Sequence, residues 1–324
     1  MKQGEEFRED QRRQRPLPAS LIRNLTHLSP WHCCRALSQT IGAIVVLVIV
    51  SVELWTPWLF LPAIVVMAGL QHALFVLVHD AVHYRLFENR PLNDLVGRLL
   101  AIPIGISMYA YRAIHRLHHN HLYTSLDPDM ALQAGYPRGR AHLIRKLLRD
   151  LVGLTAFKTF AYFFGNPAIN KAVGHAQQPL NDTSSRLRSA ARHDRWFVIV
   201  FHLSALTISV LTGAGWYYLV LWLVPLLSVI HVILRLRAVC EHGAVNDISS
   251  PLTAARTNRV QPWIRWWLFP HHVHYHIEHH LYPSIPHYRL PQVHDALRRH
   301  QGFDHAEVRS LTDTLRLITS EPSP

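Results

Sequence analysis

Three short histidine words carry the chemistry of this chain: His79-Asp-Ala-Val-His83, His115-Arg-Leu-His118-His119 and His276-Ile-Glu-His279-His280. On an α-helix, residues three and four apart project from one face, with Cβ atoms about 5–6 Å apart. Each word is therefore expected to aim two or three imidazoles at one point. A structural zinc site needs four ligands and a hydrolytic one three, so eight convergent imidazoles are too many for one ion and suit two. Neutral imidazole serves iron, zinc and copper alike, and spacing alone does not choose between them. A histidine-rich two-metal centre with open positions can bind and reduce dioxygen. That chemistry belongs to the metals, and the protein supplies geometry and a dry site. Asp80, Asp127, Asp129, Glu241 and Glu278 are the expected partners for the ring nitrogens that face away from the metals, fixing tautomer and orientation.

Positioning these side chains falls to long apolar elements. The chain is 49% hydrophobic and only 17% charged, short of the charge a soluble domain carries. Lys and Arg are absent from residues 36–84 and 196–234. Apolar runs over about 38–55, 59–79, 196–212 and 216–236 have the length that crosses the ~30 Å hydrocarbon core of a bilayer. Trp55 and Trp58 flank the first turn, and Gly213 to Gly215 forms the second. The expected fold is all-α and integral to the membrane: four transmembrane helices as two hairpins, with a cytoplasmic helical cap carrying the histidines. Neither tight turn has Lys or Arg, whereas Arg192, Arg195, Arg235 and Arg237 flank the second hairpin. The positive-inside rule then puts both termini and the central segment in the cytoplasm, as for a bacterial inner-membrane protein. His79 ends the second span, and His242 follows the fourth, so all the candidate ligands can meet at one membrane face.

Residues 1–35 read as a polar, partly disordered segment, 36–300 as the membrane domain and 301–324 as a C-terminal tail. Within the domain, Leu92–Ile106 reads as a short helix broken at Pro103, His142–Phe164 as an interfacial helix, and 171–194 as a polar loop. Pro225 is placed to kink the fourth span. The net charge of +12 would suit nucleic acid, but no nucleic-acid module accompanies it, and a cytoplasmic surface facing anionic lipid accounts for it instead. Three cysteines give no disulfide framework.

These words, in this order and topology, resemble the integral-membrane fatty acid desaturases, whose three histidine boxes read HxxxH, HxxHH and HxxHH on two transmembrane hairpins. The resemblance covers about residues 36–295 and includes His79-Asp80, Asp127-Pro-Asp129 and Tyr275-His-Ile-Glu-His-His-Leu-Tyr-Pro283. It implies two iron ions held by His79, His83, His115, His118, His119, His276, His279 and His280, with His242 as a ninth ligand. It also implies a lipid or fatty acyl substrate whose unactivated C–H bonds are attacked with dioxygen and two electrons. No heme-binding His-Pro-Gly-Gly word is present, so the electrons are expected from a separate ferredoxin, rubredoxin or cytochrome. The third box begins with His276 where front-end desaturases have Gln. His274 stands where an Asn is common two residues before that box. Ala238 stands one turn before His242, where some relatives place an Asn near the second metal. A double bond is the expected product. Hydroxylation, carotenoid ketolation and terminal-alkene-forming decarboxylation are the alternatives within the wider superfamily, and a metal transporter is the non-enzyme alternative.

Of the other histidines, His272 can share the face of His276 one turn later, whereas His271, His274 and His121 are expected to point elsewhere, the first two as surface or hydrogen-bonding groups. His72, His202 and His231 fall within spans, where an ionisable group is a functional candidate or a satisfied interhelical partner. His175, His193, His287, His294, His300 and His305 are expected to be solvated.

Overall fold

A computed structural model of the chain describes residues 16–321 except 55, 125, 134, 167–179, 181–182 and 246. Residues 1–15 of the polar N-terminal segment, and His175 with much of the expected 171–194 loop, lie outside the described residues. The described part is mostly helical, its only strands being one pair of three residues each.

Four helices are long and apolar enough to cross a membrane: Pro30–Glu53, Pro57–Val82, Ser185–Leu211 and Gly215–His242. Each coincides with one expected span; the second and fourth contain theirs, whereas the first ends at Glu53 and the third at Leu211, just short of the expected 55 and 212, and all four begin earlier than expected. The first starts well before residue 38 because Pro30 fits the opening turn, where a missing N–H costs nothing. The third begins inside the expected loop, because the Ser184 hydroxyl accepts a hydrogen bond from the Leu187 N–H and caps it. The outer faces of these helices expose Val46, Ile49, Leu61, Leu203 and Ile208, the apolar surface that lipid would cover. The fourth helix passes through a π-turn at Leu219–Leu223, just ahead of Pro225. It breaks at Ser228 (φ −130°, ψ −86°) before resuming as Val229–His242.

The second long helix is the axis of the molecule. Every residue from Met67 to Val82 is buried, packed by the first and fourth long helices and by helices Arg90–Ala101 and Met108–His121. Two devices fix its C-terminal end, where the first histidine word lies. The Asn93 side chain donates to the Ala81 carbonyl and accepts from the Leu86 and Phe87 N–H groups. Arg112 donates to the Ala81 and Val82 carbonyls and pairs with Asp94 at 2.6 Å, satisfying carbonyls that a helix end leaves unpaired.

Arg90–Ala101 runs into a 3-10 turn at Ile102–Ile104, where Pro103 ends it as expected. The anticipated interfacial helix is two helices, Gly139–Leu151 and Ala156–Phe163. They separate near Gly153, whose φ of +76° favours a residue without Cβ. Their outward residues Ile144, Leu148, Val152, Leu154 and Phe157 are exposed. Residues 308–318 do not form a tail. Strand Val308–Ser310 pairs in parallel with Thr257–Arg259, and helix Leu311–Ile318 buries Leu311, Thr314 and Ile318. Cys33, Cys34 and Cys240 are all free thiols.

Candidate metal centre

Each histidine word sits at the end or along one face of a helix whose position the core dictates. His79 lies in the last turn of the axial helix, and His83 is the residue that ends it. His115, His118 and His119 lie on Met108–His121, which the Ser107 hydroxyl caps through the Ala110 N–H. His276, His279 and His280 lie on His276–Leu281, and His242 closes the fourth long helix.

The nine rings gather into two groups rather than one. His79, His83, His115, His119 and His279 bring one nitrogen each to within 4.8 Å of one another, and so do His118, His242, His276 and His280. In the first group, His79 and His115 Nε2 are 2.9 Å apart, and His119 Nε2 is 3.0 Å from both His115 and His279 Nε2. In the second, His276 Nε2 is 2.8 Å from His242 Nε2 and 3.1 Å from His280 Nε2. Nitrogens about 2.0–2.1 Å from a shared ion stand roughly 3 Å apart across a right angle, so these separations are the edges of a coordination shell. His83 Nε2 is buried without a hydrogen-bond partner among the described residues, as an unfilled ligand atom would be. The donor sets fit two borderline transition metals.

Sequence spacing led to the expectation that each word serves one point, and the structure corrects this for two of the three. His115 and His119 belong to the first group, whereas His118 between them belongs to the second. In the third word, His276 and His280 belong to the second group and His279 to the first. Adjacent residues on a helix are separated by about 100°, so His118 and His119, or His279 and His280, cannot face the same ion. That signal was available in the doubled histidines.

The acids divide unevenly. Asp127 accepts from His118 Nδ1 at 2.9 Å, with Asp129 at 3.4 Å. Burial alone would lower the His118 pKa, but Asp127 and Asp129 override it and hold the ring up to about 9. Burial holds His115, His119, His276, His279 and His280 well below the usual histidine range. Glu241 pairs with Arg237 at 2.8 Å and lies 3.6 Å from His276 Nδ1. Asp80 and Glu278, in contrast, touch none of the nine. Asp80 binds His287 Nδ1 at 2.6 Å, and Glu278 binds His294 Nδ1 and the Thr257 hydroxyl. Each follows a metal-facing histidine by one or two positions and so points off its face.

His287 and His294 are consequently held by buried carboxylates rather than solvated. His274 is buried rather than at the surface, and His271 is a hydrogen-bonding group, reaching Thr40 Oγ1 at 3.2 Å. His272 and His121 join neither group. Among the span histidines, His202 meets the Tyr218 hydroxyl at 2.7 Å, His72 meets the Trp267 carbonyl at 3.4 Å, and His231 packs edge-on against the Phe160 ring. His193, His300 and His305 are exposed as expected. Two tyrosines escaped the sequence reading. Tyr123 places its hydroxyl 3.2 Å from His242 Nδ1, and Tyr162 donates to Asp129. Neither stands in a spacing pattern that would have singled it out.

A cavity of about 400 Å³ opens on the second group, with His115, His118, His242 and His276 in its wall beside Phe75, Tyr111 and Phe163. Its size is that of a ligand pocket, for which about 300–1,000 Å³ is usual.

Comparison with known proteins supports the same chemistry. The sn-1 oleoyl-lipid 12-desaturase of Anabaena variabilis is 25% identical over 305 residues, 86% of this chain and 82% of that one. The dihydrorhizobitoxine desaturase of Bradyrhizobium elkanii is 24% identical over 252 residues, 76% of this chain and 70% of that one. The sn-1 acyl-lipid omega-3 desaturase (ferredoxin) of Nostoc sp. (strain 36) is 26% identical over 276 residues, 76% and 69% of the two chains. The fatty acid desaturase family model matches residues 53–311, a stretch that contains all nine clustered histidines. The chain is an integral membrane oxidoreductase of the desaturase type and belongs to the fatty acid desaturase family.

Proposed function

We propose that the protein is a di-iron oxidase that inserts a carbon–carbon double bond into a fatty acyl chain. The single observation that carries this reading is the division of nine buried or half-buried imidazoles into a group of five and a group of four, with coordination-shell spacing in both. In this reading His79, His83, His115, His119 and His279 hold one iron, and His118, His242, His276 and His280 hold the other. The irons would supply dioxygen activation. The overall balance is one –CH2–CH2– unit, O2, two electrons and two protons giving –CH=CH– and two waters.

The protein's own part is to orient and to enclose. Asp127 fixes the His118 ring and Tyr123 the His242 ring. Arg237 offsets the charge of Glu241, leaving that carboxylate to face His276 Nδ1. Phe75, Tyr111 and Phe163 wall the cavity beside the histidines with aromatic surface. An acyl substrate accords with the names of the lipid desaturases among the relatives. A ferredoxin-like carrier is the proposed electron source, since one relative's name prints ferredoxin, with a rubredoxin or cytochrome in the same role as alternatives. The distribution of Lys and Arg favours two hairpins, with both termini and the histidine face in the cytoplasm of a bacterial inner membrane.

The test is lipid and hydrocarbon profiling of cells with and without the gene, supplied with fatty acids. A new double bond is expected. A hydroxyl, a keto group or a terminal alkene instead would assign the same centre to the hydroxylase, ketolase or decarboxylase outcome. No oxidised product at all, from membranes containing the metal-loaded protein, would contradict the reading.

A further inference from the structure

The wall of the same cavity carries more positive charge than its acids neutralise. It includes Lys146, Arg149, Lys158, Arg235 and Arg237 against Asp129, Asp150 and Glu241. Two of the cations are already engaged: Arg235 with Asp150 and Arg237 with Glu241. The Tyr162 hydroxyl donates to Asp129, which also lies 3.4 Å from His118 Nδ1. Lys146, Arg149 and Lys158 have no carboxylate partner among the described residues. The Lys146 ammonium is pulled below its usual range by burial and by Arg235, Arg149, Arg138 and Lys158 together, a concentration of like charge that structure alone does not require. Cations that face one cavity without a carboxylate partner offer charge-assisted hydrogen-bond donors to an anion placed there.

Their placement is equally specific. Arg235 stands seven residues before His242 on the fourth long helix, about 10 Å along its axis, and Asp150 beside it belongs to the helix bearing Lys146 and Arg149. That helix and its successor present Ile144, Leu148, Val152 and Phe157 outward, as elements lying at a lipid surface do. The cations therefore sit between a lipid-facing surface and the second histidine group.

We propose that Lys146, Arg149 and Lys158 bind the anionic head, a carboxylate or phosphate monoester, of an acyl substrate whose chain runs to the second histidine group. This deepens the acyl-oxidase reading and rests on it. It sets the substrate class apart from a neutral glycolipid or hydrocarbon, because only an anion completes three cations.

Equilibrium binding to the iron-loaded full-length protein in non-ionic detergent tests it, with palmitate, hexadecyl phosphate and hexadecanol as probes of one chain length. Wild-type protein should bind at least one of the two anions about tenfold or more tighter than the alcohol. Palmitate binding tighter identifies a free acid as the source, and hexadecyl phosphate binding tighter a lipid phosphate. The combined Lys146→Gln, Arg149→Gln and Lys158→Gln variant should lose the preference while keeping its affinity for hexadecanol, which serves as the folding control. Arg145→Gln, the same charge change on the same helix away from this cavity, should leave the preference intact. If the combined variant loses hexadecanol binding as well, single Lys146→Gln and Lys158→Gln variants carry the test, each expected to cut the preference at least about threefold. Equal binding of alcohol and both anions, or a preference untouched by these substitutions, overturns the proposal. An enzyme that shows the preference but forms no oxidised product would count against the oxidase reading alone. One that desaturates without any preference would count against the head-group site alone.

Discussion

At the scale of single residues, the account turns on which histidine nitrogens meet. His118→Ala and His279→Ala remove ligands from different groups, and each should abolish oxidation while the protein remains in the membrane. Turnover measured in isolated membranes checks this, and retained turnover in both would defeat the two-metal assignment. Asp127→Asn keeps the shape but weakens the acceptor for His118 Nδ1. Loss of such a ligand-orienting partner typically costs about 10–100-fold in metal affinity or activity, so the variant should bind its second iron more weakly, as read by metal titration. The corresponding change at Asp80 should leave metal affinity nearly unaltered, because Asp80 serves His287 and touches none of the nine. Sequence spacing singled out eight of the nine rings and the resemblance added His242, but all five acids were assigned alike. What separated Asp127 from Asp80 is the direction of each side chain off its helix, and for Asp127 that depends on a turn after Met108–His121 with no periodicity to read.

At the scale of elements, the histidine words depend on how closely their helices approach. A Cβ added at Gly97 would lie 2.6 Å from the Ala81 Cβ and 2.5 Å from Met108 Sδ. The methionine can rotate aside, but Ala81 has no torsion with which to yield. Gly97→Ala should therefore destabilise the protein by about 1–3 kcal/mol, the usual range for overpacking, seen as a lower unfolding temperature. The four long helices were legible because uninterrupted apolar length is a strong signal. The split of 142–164 into two helices turned on Gly153, and the folding of 308–318 onto the body turned on a parallel strand pair with Thr257–Arg259. Three-residue strands are too short for alternation to register.

At the scale of the whole molecule, nine imidazoles are collected where burial keeps most of them neutral. His83, for example, is lowered from an ordinary 6.5 to about 3 by burial and then by Arg85 and Arg112. The unfolded chain would protonate such rings below about pH 6.5 and the metal-free fold would not, so the unfolded state binds more protons there. Stability of the metal-free protein should then fall as pH drops from about 6.5 toward 3. Thermal unfolding after chelation should show a lower midpoint at pH 5 than at pH 7.5, and an equal or higher midpoint at pH 5 would contradict the burial argument. Restoring metal should raise the midpoint at both, since an ion that binds only the folded state stabilises it.

The central claim is that the two histidine groups are two iron sites, and the most direct test is the metal content of active, full-length protein purified from iron-replete cells. Elemental analysis against protein concentration should give about two irons per chain, with turnover rising and falling with that content. Full activity with one iron per chain, with zinc in place of iron, or with no metal would contradict it.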